Sequence, residues 1–177
     1  MQRWAQALFL VLATCGLSLT AQTPAATDAA PPVFADLNQL MRGVLYPAAN
    51  VVFSAQADNP GEIKFVPGHD PNMSTDPLTS SFGGWQAVEN AALGLAESAT
   101  LLTIPGRKCS NGVLAPVKDP AWAAFVQEVR DASMEAYQGA KAKDQDKMIE
   151  TADALSTSCS GCHRKFRDRK TPENRCK

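Results

Sequence analysis

Beyond residue 33 the apolar positions recur every three or four residues and do not alternate, which is the period of helices and not of strands. One such segment runs from about Val33 to Gln56, with Leu37, Leu40, Met41, Val44, Leu45, Ala48, Val51 and Val52 on one face. Pro47 lies inside it and predicts a kink, because proline lacks the helical donor and crowds the preceding turn. A second segment, from about Gly84 to Ile104, spaces Trp85, Val88, Ala92, Leu95, Ala99 and Leu102 in the same way and stops at Pro105-Gly106. The third opens on Asp119 as N-cap with Pro120 in the first helical position. It carries Trp122, Phe125, Val126, Val129, Met134 and Tyr137 inward and ends near Lys143. The fourth begins about Asp144 and carries Met148, Ala152, Leu155, Cys159, Cys162 and Phe166.

Helices of about twenty residues are about 30 Å long, the scale of an antiparallel bundle, so the expected fold is all-α. The link from the third helix to the fourth is short. The link from the first to the second, residues 57–82, is long and holds Asn59-Pro60-Gly61, Pro67-Gly68, Asp70-Pro71 and Asp76-Pro77, with room for a small hairpin around Glu62–Val66. No internal repeat is visible.

The first residues follow another rule. Arg3 precedes the apolar run Ala7-Leu8-Phe9-Leu10-Val11-Leu12, and small residues lead to Leu19-Thr20-Ala21, so 1–21 reads as an export signal cleaved before Gln22. Leu12-Ala13-Thr14-Cys15 offers a second route, lipoprotein processing at Cys15, with Thr14 a poor fit. The run is too short for a permanent membrane span. Both routes put the mature chain outside the cytoplasm, in a bacterial periplasm. Residues 22–32, small and proline-rich, read as a flexible leader, which leaves 33–177 for the fold.

A chain of 177 residues, 45% hydrophobic and 20% charged, is long enough for a real core and too apolar to be disordered. A net charge of −1 argues against a dedicated nucleic-acid binder. The charge is unevenly placed, however. Residues 22–158 hold 9 basic and 16 acidic side chains, whereas 159–177 hold 7 basic and 2 acidic ones. That basic end could steer an acidic partner, or it could simply be a solvated helix end.

Candidate chemistry concentrates in Cys159-Ser160-Gly161-Cys162-His163, the attachment signature of c-type haem. Two thiols three residues apart on a helical turn can each add to a haem vinyl group, and the histidine that follows can ligate the iron. A thioredoxin-like redox pair would follow a strand, and none precedes this segment. A zinc site would need further ligands, for which only His69 and Cys109 are spare. No Ser/His/Asp arrangement, P-loop or glycine fingerprint points to an enzyme, and no catalytic residue is expected.

A single such motif near the C-terminus, followed by Arg164-Lys165-Phe166-Arg167 and preceded by four amphipathic segments, resembles the class II c-type cytochromes, the cytochrome c′ and c556 group, over about residues 33–170. The resemblance implies an up-down-up-down four-helix bundle with one covalently bound haem c, held by Cys159 and Cys162, with His163 as the proximal iron ligand. In six-coordinate members a methionine early in the first helix is the second ligand, and Leu40-Met41-Arg42 matches that context. In five-coordinate members the place is apolar and the iron binds small gases. Met41 is therefore the expected distal ligand, against a core role at helical spacing. His69 and Met73, both in the long loop, are the weaker candidates. Arg167, one turn after His163, could flank the imidazole or meet a haem propionate, or be an exposed cation favoured by the helix dipole. Trp85 and Trp122 could wall the pocket or belong to the core.

With two cysteines given to haem and Cys15 removed with the signal, Cys109 and Cys176 remain. In an up-down-up-down bundle the loop carrying Cys109 lies at the same end as the C-terminus. A disulfide between them is then reasonable in an oxidising compartment, with free thiols or an intermolecular bridge as the alternatives. The resulting expectation is a periplasmic monohaem electron carrier that meets an acidic redox partner protein. A five-coordinate binder or sensor of nitric oxide or carbon monoxide is the alternative. Members of the family often form homodimers, although nothing in the sequence marks an exposed seam.

Overall fold

A computed structural model of the chain describes residues 31–64, 69–168 and 176. The export signal over 1–21, Cys15 and the leader up to residue 30 lie outside them. The described residues are helical, with no strand beyond an isolated antiparallel bridge between Lys108 and Leu114. The hairpin expected around Glu62–Val66 falls partly outside the described residues, and Glu62 to Lys64 form a turn and coil.

The first helix starts later than its apolar pattern suggests. Asp36 accepts from the Gln39 amide, and the Gln39 side chain reaches back to the Asp36 amide, a capping box that sets the start of α1 (Leu37–Leu40). A π turn, Met41–Leu45, follows, and then α2 (Tyr46–Ala57), with right-handed helical backbone through both junctions. The three pieces form one rod. Pro47 supplies the reason for the wide turn: it has no N–H to offer the Gly43 carbonyl, and its ring crowds that carbonyl. The chain takes up an extra residue just before it, so that the Tyr46 N–H bonds the Met41 carbonyl five residues back.

Two short 3-10 turns, Pro71–Met73 and Pro77–Thr79, interrupt the connection that follows, each capped by the aspartate before its proline. Leu78 of the second is buried in the core. Gly84, at φ +59°, precedes α3 (Trp85–Ser98); a side chain there would be strained and would meet the Pro60 carbonyl oxygen at 3.0 Å. α3 tightens into a 3-10 turn, Ala99–Thr103, where the Thr103 hydroxyl bonds the Thr100 carbonyl. α4 (Pro120–Ala142) has Asp119 as N-cap and Lys143 in the left-handed conformation at its end. α5 (Gln145–Cys162) is capped by Asp144 and continues into a second π turn, His163–Arg167.

α2 packs on α3 and α5, and α4 packs on the same two helices. The face of α4 toward this core is made largely of small residues: Ala132, Ser133, Ala136, Gly139 and Ala140 are all buried. At Gly139 a Cβ would lie 3.1 Å from the Lys147 side chain and 3.3 Å from the Met148 sulfur, so α4 and α5 approach closely there. Two residues expected inside are not. Val44 and Met134 are 42% and 40% exposed, because the π turn rotates the first off the core face and the small-residue seam takes the place of the second.

Several contacts join the helix ends. The Leu37 N–H bonds the Lys108 carbonyl at 2.8 Å, and the Cys176 N–H bonds the Phe166 carbonyl at 3.1 Å. Cys109 and Cys176 form a disulfide. Elsewhere the Gln145 side-chain amide donates to the Ala55 carbonyl, joining the start of α5 to the end of α2. Among the described residues no helix is long and apolar enough to cross a membrane.

Candidate functional site

A cavity of about 750 Å³ opens between the first rod and the end of α5. One wall is a strict four-residue row: Leu37, Met41, Leu45, Ala49 and Phe53. The other carries Cys159, Cys162, His163, Phe166 and Arg167. Leu95 and Leu102, with Trp122, Phe125 and Val126 of α4, line much of the rest, so the lining is mainly apolar. The size suits a drug-sized or larger organic group.

Helical geometry brings the motif together. Cys159 and Cys162 are three apart on α5 and His163 is four from Cys159, which puts all three on neighbouring parts of one face. His163 then begins the second π turn, closed by the Asp168 N–H on the His163 carbonyl at 2.9 Å. Met41 begins the first. Both candidate iron ligands thus stand at the first position of a π turn, an element frequent at functional sites. Behind the motif, the Phe166 ring makes edge contacts with Trp122 (centroids 5.0 Å apart) and Phe125 (6.3 Å). Gly161 is needed for that fit, since a Cβ there would stand 2.6 Å from the Phe125 ring.

The electrostatics keep the donors neutral. Burial pushes the Cys159 thiol up, and pushes Cys162 up to about 11, with Cys159 and Glu128 adding to the effect. Both stay protonated at neutral pH, a state slow to oxidise to a disulfide. Burial also lowers the proton affinity of His163; Arg167 lowers it further and Asp168 opposes. Arg167 Nη1 lies 3.1 Å from His163 Nδ1. A guanidinium only donates, so Nδ1 accepts and the neutral ring carries its proton on Nε2. For Nε2 to ligate a metal the proton must sit on Nδ1 instead, and Arg167 must withdraw. Arg167 is also paired with Asp168 through Nε at 2.8 Å and Nη2 at 3.1 Å, which leaves it a partner to keep when it does.

The remaining candidates separate clearly. His69 and Met73 are exposed and do not line the cavity. Trp85 is buried away from it, beside Gly61, whereas Trp122 lines it and donates Nε1–H to the Leu102 carbonyl at 3.0 Å. Cys176 also lines the cavity. Phe53 lines the cavity without an expectation behind it. It is signalled by the four-residue row beginning at Leu37. Arg107, in a Pro-Gly loop outside the lining, carries no signal in the sequence, yet it is 4% exposed.

Among the described residues no group of three or more His, Cys, Asp or Glu side chains is arranged to hold a metal ion. The donors here are two thiols, one imidazole and one thioether on two helices that flank an apolar cavity. That set fits a flat prosthetic group tethered through sulfur that brings its own ring of ligands to the metal. Comparison with protein-family models, with curated proteins and with solved structures finds no match for the chain.

Proposed function

We propose that the protein is a periplasmic monohaem c-type cytochrome of the class II kind, an electron carrier and not an enzyme. The observation that carries this reading is that Cys159, Cys162, His163 and Met41 all line one apolar cavity. The helix-end contacts favour an up-down-up-down bundle, with 58–84 as its long connection. The start of α1, the α3–α4 loop and the end of α5 meet through Leu37, Lys108, Cys109, Cys176 and Phe166, and the end of α2 meets the start of α5.

When bound, the haem supplies a one-electron iron couple. Cys159 and Cys162 would tether it through thioethers, and burial favours the protonated form of both thiols. His163 would provide Nε2, which requires its proton on Nδ1 and Arg167 turned away from that nitrogen. Met41 would offer its sulfur from the other wall, and thioether ligation would favour the reduced state and raise the potential. The apolar row from Leu37 to Phe53 and the Trp122, Phe125 and Phe166 rings exclude water. Arg42, Arg164, Lys165 and Arg167 are exposed around this end and give an acidic redox partner a basic surface to meet.

The test is export in a host that attaches haem, followed by a haem-stained denaturing gel and a haemochrome spectrum. The wild-type chain retains stain through denaturation. Cys159→Ala combined with Cys162→Ala abolishes it, and Met41→Ala retains it while changing spin state and lowering the potential. A wild-type chain carrying no covalent haem refutes the proposal.

A further inference from the structure

The loop between α3 and α4 grips both flanks of the cavity within three residues. Toward the first rod, the Lys108 carbonyl takes the Leu37 N–H at 2.8 Å, one turn before Met41. The buried Arg107 side chain donates Nη1–H to the Ala35 carbonyl at 2.6 Å and Nε–H to the Leu101 carbonyl at 2.9 Å, fastening the residues just ahead of α1 to the middle of the 3-10 turn Ala99–Thr103. Toward α5, Cys109 is bonded to Cys176, whose N–H meets the Phe166 carbonyl at 3.1 Å inside the same π turn as His163. The loop is braced internally as well: the Ala115 N–H bonds the Arg107 carbonyl at 2.9 Å, and the Cys109 N–H bonds the Val113 carbonyl at 2.8 Å.

We infer that Arg107 and the Cys109–Cys176 disulfide are positioning groups that hold the start of the Met41 helix at a fixed span from the His163 turn, and so keep Met41 available as the second ligand. This rests on the haem reading above. α1 has four residues before the π turn, and its first amides have no partner within the helix. One of those amides, Leu37, is held by this loop. Without the loop the first turn frays locally, while the contacts of α2, α3, α4 and α5 with one another persist.

The experiment compares the holoprotein with two independent variants, Cys109→Ala/Cys176→Ala and Arg107→Gln. It measures amide hydrogen exchange over 37–45 and over α4, together with the Met–iron charge-transfer band and carbon monoxide uptake by the ferrous form. Loss of one backbone hydrogen bond raises exchange over 37–45 by up to about tenfold. Positioning predicts that rise with α4 unchanged, a weakened band and increased gas uptake in both variants. Exchange that rises equally in α4, or stays unchanged over 37–45 with the band intact, overturns it. Should one variant fail to fold, the other decides. A wild-type holoprotein without the band refutes the Met41 assignment separately, and the exchange comparison then decides the positioning alone.

Discussion

Phe166 ties the haem-binding motif to the rest of the core, and its removal has a calculable consequence. The side chain is 3% exposed and meets Trp122 and Phe125 edge-on, at interplanar angles of 67° and 90°. Truncating a buried phenylalanine to alanine costs about 3–5 kcal/mol, and edge-on aromatic pairs each account for about 0.5–1.5 kcal/mol beyond area. Phe166 borders the cavity, so the space it leaves merges with existing space and does not form a closed void. That places Phe166→Ala near the low end, at about 3 kcal/mol. For a folded unit of this size each kcal/mol moves the melting temperature by about 2–4 °C, which gives a fall of about 10 °C. Thermal unfolding of the haem-free chain by far-ultraviolet dichroism measures it. Phe82→Ala is the control: that ring is 65% exposed, and its loss changes stability by no more than about 0.5 kcal/mol. A Phe166→Ala protein that melts within about 2 °C of wild type, or a Phe82→Ala protein that falls as far, refutes the cluster as the support of the His163 turn.

Gly161→Ala forces the Phe125 ring aside and costs about 1–3 kcal/mol in urea unfolding; Phe125→Leu in the same chain restores most of it, and an unchanged midpoint for Gly161→Ala contradicts the close approach. Asp36→Ala removes the capping box and destabilises by about 1 kcal/mol, detected as faster exchange in α1, whereas equal exchange would show the cap to be idle. His163 has a folded proton affinity below its ordinary value, so the unfolded chain takes up the proton first as pH falls. The haem-free chain therefore loses stability as pH falls through the ordinary histidine value of about 6.5, and His163→Gln loses less; identical pH slopes for the two would rule this out.

Much of this molecule follows from local rules. Asp119-Pro120 and Asp144 mark the starts of α4 and α5, and Pro105-Gly106 lies just past the 3-10 turn that ends the α3 segment. The start of α1 is legible too, but through Asp36 and Gln39 and not through the apolar run that begins at Val33. The π turns are less accessible. Pro47 announces a disturbance, yet whether a chain kinks or inserts a residue depends on what the flanking turns are packed against, and only the insertion exposes Val44. Met134 shows the same limit: it fits the apolar period of α4, but close approach to α5 selects alanine, serine and glycine for the buried face. At the site, residue type and spacing point to Cys159, Cys162 and His163. The cavity that brings Met41, Phe53 and Cys176 to them arises from the packing of the helices on one another together with long-range pairings such as those of the Arg107 loop, which no local pattern encodes.

The most direct measurement is the optical and electron paramagnetic resonance spectrum of the purified ferric protein, followed by a carbon monoxide titration of the ferrous form. Ligation by His163 and Met41 predicts a low-spin spectrum with a Met–iron charge-transfer band and no gas uptake. A high-spin ferric spectrum with ready carbon monoxide binding would contradict it, leaving Met41 as a wall residue and the iron open to gases.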